Sequence, residues 1–275
     1  MSLSLINSRP LIWAHRGGRS LAAENTLAAV RKAKEAGADG WELDVQVTKD
    51  GEVIILHDLN LLRSTNASVH PLFVGNPPAL PWRFSLAELK ELSADVFPRR
   101  FCPPKYIEQP WRELPENLPV DLRIPTLVEA LKLSRELDMW INVEIKDLSK
   151  AVPDYLAGDI VEKVLGIIRA QSMDDQVVVS SFKHDYVRRS KEVAPHILTG
   201  VLTEHKYAGD PLEAARIANA DAWHPGFRFL TEEKVQAARE AGLAVTPYTV
   251  NEVEDMKRLT KWGVTGLVTD YPQNA

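Results

Sequence analysis

Short apolar runs rich in Val, Ile and Leu alternate along the chain with stretches whose apolar residues recur every three or four positions. The runs predict strands at Leu11–His15, Gly40–Val47, Trp140–Lys146, Gln176–Ser180, Ile197–Leu202, Ala222–His224, Leu243–Val250 and Thr265–Thr269. The amphipathic stretches predict helices at Thr26–Ala36, Thr126–Leu137, Asp154–Ala170, Tyr186–Val193, Pro211–Ala218, Glu232–Ala241 and Glu252–Trp262. Eight strands alternating with helices in 275 residues predict an α/β fold with a parallel sheet, closed as a TIM-type (β/α)8 barrel. An open doubly wound sheet is the alternative with the same rhythm. Residues 1–275 are expected to form a single barrel domain.

One segment breaks the alternation. Residues 59–122 are rich in Pro and aromatic side chains, with Pro77-Pro78, Pro81-Trp82, Pro103-Pro104 and Pro110-Trp111, and only Ser85–Leu92 has a helical pattern. A stretch this long inside a compact domain is usually functional or disordered. It is expected to be an insertion after the second barrel strand, forming a small cap over the barrel mouth; a loose surface excursion is the alternative.

Composition narrows the function classes. Hydrophobic residues make up 45% and charged residues 26%, as in ordinary globular chains, and the formal net charge is -5. No basic stripe is present, which argues against nucleic acid held through its phosphates. A small anionic substrate stays compatible, since a few local cations can hold one phosphate. Cys102 is the only cysteine, so no intramolecular disulfide is expected, which favours a reducing compartment. Met1 to Pro10 lacks the basic start and apolar stretch of a secretory signal, and no run of 18 apolar residues exists. A cytoplasmic protein without stable membrane insertion is expected; the sequence carries no sign of its oligomeric state.

Barrel enzymes carry their chemistry at the C-terminal ends of the strands. There the first strand ends in His15-Arg16, the second carries Glu42 and Asp44, and the third carries Asn142, Glu144 and Lys146. Side chains two apart on a strand share a face, so Glu42 joins Asp44, and Asn142 joins Glu144 and Lys146. If those faces point inward, three carboxylates converge and need a cation. All-oxygen ligation suits one hard divalent ion, Mg²⁺ or Ca²⁺, with Mn²⁺ also admissible. Lys146 either holds down part of the negative charge or touches a phosphate. Farther on, Asp50-Gly51 between two β-rich runs signals a two-residue hairpin. That turn would set His57 directly across from Asp44. Two histidines can exchange protons near neutral pH, while Arg16 and a cation would neutralise charge on phosphate oxygens. The set suits phosphoryl transfer better than acyl transfer.

Several residues are expected to be bland. His70, His184, His196 and His205 have no such partners; His224 ends a strand and is expected at most to line the pocket. Ser180-Ser181 lacks the Gly-x-Ser-x-Gly surround of a nucleophilic serine. Phe182, Trp223 and Tyr248 are placed either to wall the substrate's alcohol portion or simply to pack the upper barrel.

The ordered set His15-Arg16-Gly17, Glu24-Asn25-Thr26, Glu42-x-Asp44-Val45-x-x-Thr48-x-Asp50-Gly51 and His57-Asp58 resembles the glycerophosphodiester phosphodiesterases. Ile124-Pro125-Thr126-Leu127, Val143-Glu144-Ile145-Lys146, Ser180-Ser181-Phe182, Thr249-Val250-Asn251 and Thr269-Asp270-Tyr271-Pro272 extend the likeness over nearly the whole chain. The resemblance implies a TIM barrel with a small insertion after the second strand. It implies metal ligation by Glu42, Asp44 and Glu144, acid–base roles for His15 and His57, and phosphate contacts from Arg16 and Lys146. It implies hydrolysis of a small glycerophosphodiester to an alcohol and glycerol 3-phosphate, directly or through a cyclic phosphate. The chain departs from the family in a longer, Pro-rich 98–122 region and in Tyr248, where the family often has Trp; both put the choice of alcohol in doubt. A related activity on an intact lipid and a non-catalytic barrel that binds a phosphorylated ligand are the competing functions.

Overall fold

The barrel strands are buried along nearly their whole length, one face under the helices and the other in the barrel interior, as parallel strands covered on both sides are. In the computed structural model, which describes residues 9–95, 119–149, 151–204 and 206–275, the strands are β1 (Leu11–His15), β2 (Gly40–Val47), β3 (Val53–Ile55), β4 (Trp140–Ile145), β5 (Val177–Ser181), β6 (Leu198–Thr203), β7 (Ala222–Pro225), β8 (Ala244–Val245) and β9 (Gly266–Thr269). Their order is β8-β7-β6-β5-β4-β2-β1-β9, all parallel, with β3 antiparallel on β2. The ring closes between its two ends through Thr265 N to Val245 O (2.8 Å), Val268 N to Pro247 O (3.0 Å) and Val250 N to Val268 O (2.8 Å). The predicted barrel is therefore the observed one.

Outward residues such as Trp41, Leu43, Val45, Ile141 and Val143 are fully buried beneath the helices. The helices on that side are α1 (Leu27–Glu35), α2 (Leu127–Glu136) and α3 (Ile160–Ala170); α4 (His184–Val193), α5 (Pro211–Ala218), α6 (Glu232–Glu240) and α7 (Val253–Lys261) complete the ring. Side-chain caps set several helix starts: Thr26 accepts from Ala29 N, and Thr126 forms a capping box with Glu129. The barrel interior is filled below the mouth by Leu11, Trp13, Val178 and Val268. Two glycines clear room for the Trp13 indole: a Cβ would lie 2.9 Å from its ring at Gly40 and 2.8 Å from Nε1 at Gly266.

Three predicted elements differ. The helix expected over Asp154–Ala170 breaks at Gly158 into Asp154–Ala157 and α3, where the poor helix propensity of glycine permits a stop. The strand expected over Leu243–Val250 shrinks to β8, because Pro247 has no N–H to give the ladder; Thr246 N and Tyr248 N still bond to Trp223 O and Pro225 O across β7. The 59–122 segment is described for 59–95 and 119–122 only, and Cys102 lies outside the described residues. Its described part builds a separate apolar cluster on β3, with Leu61, Phe73, Phe84, Leu89 and Leu92 packed against Ile54 and Leu56. The helix expected at Ser85–Leu92 is one capped turn, Leu86–Leu89. None of the described residues from 59 to 122 lines the central cavity; this part packs beside the mouth.

Candidate active site

At the C-terminal ends of the strands the barrel opens into a cavity of about 880 Å³, and all seven site residues expected from the sequence line it: His15, Arg16, Glu42, Asp44, His57, Glu144 and Lys146. Register explains the convergence. Asp44 on β2 is the direct partner of Glu144 on β4, and Glu42 shares the inward face of Asp44. Oxygens of these three buried carboxylates lie within 4.8 Å of one another. Burial and the neighbouring carboxylates push Glu42 well above its ordinary range, and burial raises Glu144 too. Burial acts the same way on Asp44, but Lys146, Arg16, His57 and the Asn25 amide outweigh it and hold the group low. Such a cluster is overcharged when fully ionised, and a hard divalent cation suits its all-oxygen donor set. Lys146 Nζ supplies only part of the compensation, donating to Glu144 Oε1 (2.7 Å) and Asp44 Oδ1 (3.3 Å).

The loop after β1 explains the His-Arg-Gly-Gly run. Arg16, Gly17 and Gly18 all have positive φ, turning the chain back sharply over α1. A Cβ on Gly17 would meet the Ala29 Cβ at 2.9 Å, so both conformation and space select glycine. Arg16 N donates to Glu42 Oε2 (3.1 Å) and its guanidinium to Glu24 Oε1 (2.9 Å). The Glu24-Asn25-Thr26 triplet divides its work. Glu24 gathers Arg16, Arg19 and Arg63, and against its burial these cations draw its pKa down to about 2. Asn25 Nδ2 donates to Asp44 Oδ2 (3.0 Å), and Thr26 caps α1.

Each histidine is held by a carboxylate that stands in the sequence motifs without an expected role of its own. His15 Nδ1 lies 2.6 Å from Asp270 Oδ1, and His57 Nδ1 lies 2.7 Å from Asp58 Oδ1. Asp270 and Asp58 resist the upward push of burial through hydrogen bonds from their histidines and nearby cations, and both stay below their ordinary range. Ionised carboxylates only accept, so each Nδ1 carries the proton and each Nε2 is left as the working nitrogen. Asn251 Nδ2 (2.8 Å) steadies Asp270, and Arg63 bonds to both oxygens of Asp58. Burial and then Arg16 lower the His15 pKa, against the pull of Asp270.

The hairpin that delivers His57 is built differently from the expectation. Only Gly51 has positive φ, Gly51 N donates to Thr48 O (3.1 Å) and Thr48 N to Glu52 O (3.0 Å). This is a three-residue loop with a left-handed glycine, not a two-residue turn, and it shifts the register by one. Val45 pairs with Ile55, and Leu56 N donates to Asp44 O, so Leu56 stands opposite Asp44 in place of His57. Gln46 restores the outcome. Its buried Nε2 donates to Leu56 O (2.9 Å) and Asp58 O (2.5 Å), gripping the chain on both sides of His57. Inward parity from Asp44 could have exposed Gln46, as Val268-x-Asp270 could have exposed Asp270.

Other expectations sort cleanly. Phe182 and Tyr248 line the cavity, edge to face at 6.0 Å between ring centres. Trp223 does not; it faces outward because His224 faces in, and its Nε1 donates to Thr203 Oγ1 (2.8 Å). Among the other described histidines only His224 reaches the cavity, while His205 lies outside the described residues.

Comparison with known proteins agrees with this geometry. The model of the glycerophosphoryl diester phosphodiesterase family matches residues 15–274. The chain is 34% identical over 266 residues to a glycerophosphodiester phosphodiesterase of Caldanaerobacter subterraneus subsp. tengcongensis, covering 96% of each. It is 31% identical to one from Bacillus subtilis, covering 96% of this chain and 84% of the relative. Among solved structures, one from Silicibacter pomeroyi DSS-3 superposes with a TM-score of 0.82 at 26% identity, over 99% of this chain and 94% of the other. An Oleispira antarctica phosphodiesterase, solved in complex with its product sn-glycerol-3-phosphate, superposes with a TM-score of 0.77 at 25% identity, over 96% and 94% of the two chains. With the family model matched over residues 15–274 and a relative 34% identical over 96% of the chain, the chain belongs to the glycerophosphoryl diester phosphodiesterase family.

Proposed function

We propose that this protein hydrolyses small glycerophosphodiesters to an alcohol and sn-glycerol 3-phosphate, with residues 1–275 acting as one catalytic domain and the 59–122 segment as an insertion within it. The observation that carries the proposal is the pair of carboxylate-anchored histidines, His15–Asp270 and His57–Asp58, at one cavity with three clustered carboxylates. The names of the relatives support the same activity, as does the product held by the Oleispira antarctica structure.

Glu42, Asp44 and Glu144 are the residues that would hold one divalent cation, Mg²⁺, Ca²⁺ or Mn²⁺. When bound, such an ion supplies Lewis-acid neutralisation of charge on phosphate oxygens. Arg16 and Lys146 bind the phosphate's oxygens from the rim of the carboxylate cluster, Arg16 fixed by Glu24 and Lys146 by Glu144. One histidine takes the nucleophile's proton through Nε2; the other gives a proton to the departing alkoxide through Nε2. Asp270 and Asp58 hold the required tautomers. This division needs one imidazole neutral and one protonated, which suits a reaction near neutral pH.

His15→Ala and His57→Ala test the proposal. Each is expected to lower kcat by about 10²-fold or more, the usual scale for a general acid or base, with circular dichroism unchanged. Full turnover in either variant contradicts the two-histidine chemistry.

A further inference from the structure

The 59–122 segment packs beside the cavity, yet one of its side chains reaches the residues that orient the site. The Arg63 guanidinium bonds to two carboxylates with different duties. Its Nε donates to Asp58 Oδ2, and its Nη2 donates to Asp58 Oδ1 (2.9 Å). The same Nη2 also donates to Glu24 Oε1 (2.6 Å). Asp58 Oδ1 holds His57 Nδ1 (2.7 Å), and Glu24 Oε1 accepts from Arg16 Nη1 (2.9 Å). One guanidinium nitrogen therefore stands between the partner of a site histidine and the partner of a site arginine.

The chain on either side of Arg63 is anchored. Leu61 is buried in the apolar cluster on β3, and its N–H donates to Ala79 O (2.9 Å). Thr65 Oγ1 donates to Leu61 O (2.5 Å) and accepts from Ala67 N (3.2 Å), capping the 3-10 turn Asn66–Ser68. Asn66 N donates to Ser93 O (3.1 Å), and Asn66 Oδ1 accepts from Ser93 N (2.9 Å). The backbone that carries Arg63 is thus tied at both sides to the packed part of the segment.

The two carboxylates differ in how much they need this guanidinium. The Glu24 side chain is 1% exposed and has Arg16 and Arg19 beside it as well. The Asp58 side chain is 20% exposed, and among the described residues its carboxylate receives hydrogen bonds only from His57 and Arg63. The terminal torsion of an aspartate is broad, so a carboxylate held by one bond at the edge of solvent turns easily. A bidentate guanidinium fixes its plane as well as its charge. Partly exposed ion pairs add little to stability, so what the fork contributes is geometry.

We propose that Arg63 is a positioning residue for His57: the 59–122 segment serves the reaction by supplying a guanidinium that fixes the Asp58 carboxylate, and through it the His57 imidazole, against the buried Glu24. The proposal rests on the glycerophosphodiesterase reading and gives the segment a part in it that needs no contact with substrate.

Steady-state kinetics of the metal-loaded protein on a glycerophosphodiester test it, with melting temperatures recorded for every variant. Arg63→Ala is expected to lower kcat by about 10–100-fold, the usual cost of losing an orienting partner, with KM nearly unchanged. Arg63→Lys keeps the charge without the fork and is expected to stay well below wild type. In an Asp58→Ala background, removing Arg63 is expected to cost little more, because effects routed through one residue do not add. Wild-type kcat in Arg63→Ala, or in folded Arg63→Lys, overturns the proposal. So does the full loss from Arg63→Ala on top of Asp58→Ala, which would route Arg63 through another group. Should Arg63→Ala fail to fold, Arg63→Lys takes its place in the cycle under the same criteria. Wild-type protein that hydrolyses no glycerophosphodiester removes the reaction itself, whereas active protein indifferent to Arg63 removes the positioning role alone.

Discussion

The site depends on residues one step away from the reacting atoms. His15 and His57 stand out in the sequence, but neither is useful without a fixed tautomer, and that comes from Asp270 and Asp58. Asp270→Asn is expected to lower kcat by about 10–100-fold, the usual cost of losing a histidine's orienting partner. The amide's NH₂ turned toward Nδ1 would favour the wrong tautomer. Metal affinity, measured by calorimetry, is expected to stay the same, because Asp270 lies outside the Glu42–Asp44–Glu144 cluster. An unchanged kcat would remove Asp270 from the mechanism. The seven expected residues were legible because strand ends and i, i+2 parity locate charge in a barrel. Gln46, Arg63 and Asn251 were not, because their roles lie in whom they touch across 12 to 39 positions of chain; Asp58 is the neighbour of His57, and adjacency alone does not show that its carboxylate turns back onto Nδ1.

Among the elements, the hairpin after β2 is the clearest case of a right destination reached by a wrong path. Asp50-Gly51 announces a turn, yet two-residue and three-residue loops both use a left-handed glycine, and the sequence does not separate them. The one-residue shift puts Leu56 opposite Asp44, where it joins the insertion's apolar cluster, and Gln46 then presents His57. Strand boundaries near Pro247 and the helix break at Gly158 were lost for similar reasons: periodicity reports which face is apolar, not where one backbone bond is missing. Close packing under β1 gives a sharper expectation. Gly40→Ala would place its Cβ 2.8 Å from Trp140 O and 2.9 Å from the Trp13 ring. Overpacking of this kind is expected to cost about 1–3 kcal/mol, read as a lower urea midpoint. An unchanged midpoint would mean that the Trp13 layer is looser than its geometry indicates.

At the scale of the whole molecule the (β/α)8 barrel was legible almost complete, because eight apolar runs and the intervening amphipathic stretches leave few other topologies. The place of His224 was legible only as a possible pocket lining, because it is two residues past a strand's start and only closure of the ring puts it beneath the mouth. Its burial links the site to acid stability. The folded-state pKa of His224 is about 4 against an ordinary 6.5, so the unfolded chain binds the proton first. Its stabilising contribution is therefore complete above pH 6.5 and is lost as pH falls toward about 4. The loss amounts to roughly 3 kcal/mol at most. His224→Phe is expected to flatten the urea-unfolding free energy across that window relative to wild type. Parallel pH profiles for the two proteins would show that His224 does not carry this proton. No helix among the described residues is long and apolar enough to cross a membrane.

A divalent cation on Glu42, Asp44 and Glu144 is expected to support cleavage of a glycerophosphodiester. The most direct measurement is release of sn-glycerol 3-phosphate from a panel of such diesters, on protein first stripped by a chelator and then given Mg²⁺, Ca²⁺ or Mn²⁺. The expected result is no release after stripping and recovery with at least one of the three ions. Release that continues undiminished in the stripped protein, or none under any ion from folded protein, would contradict the account.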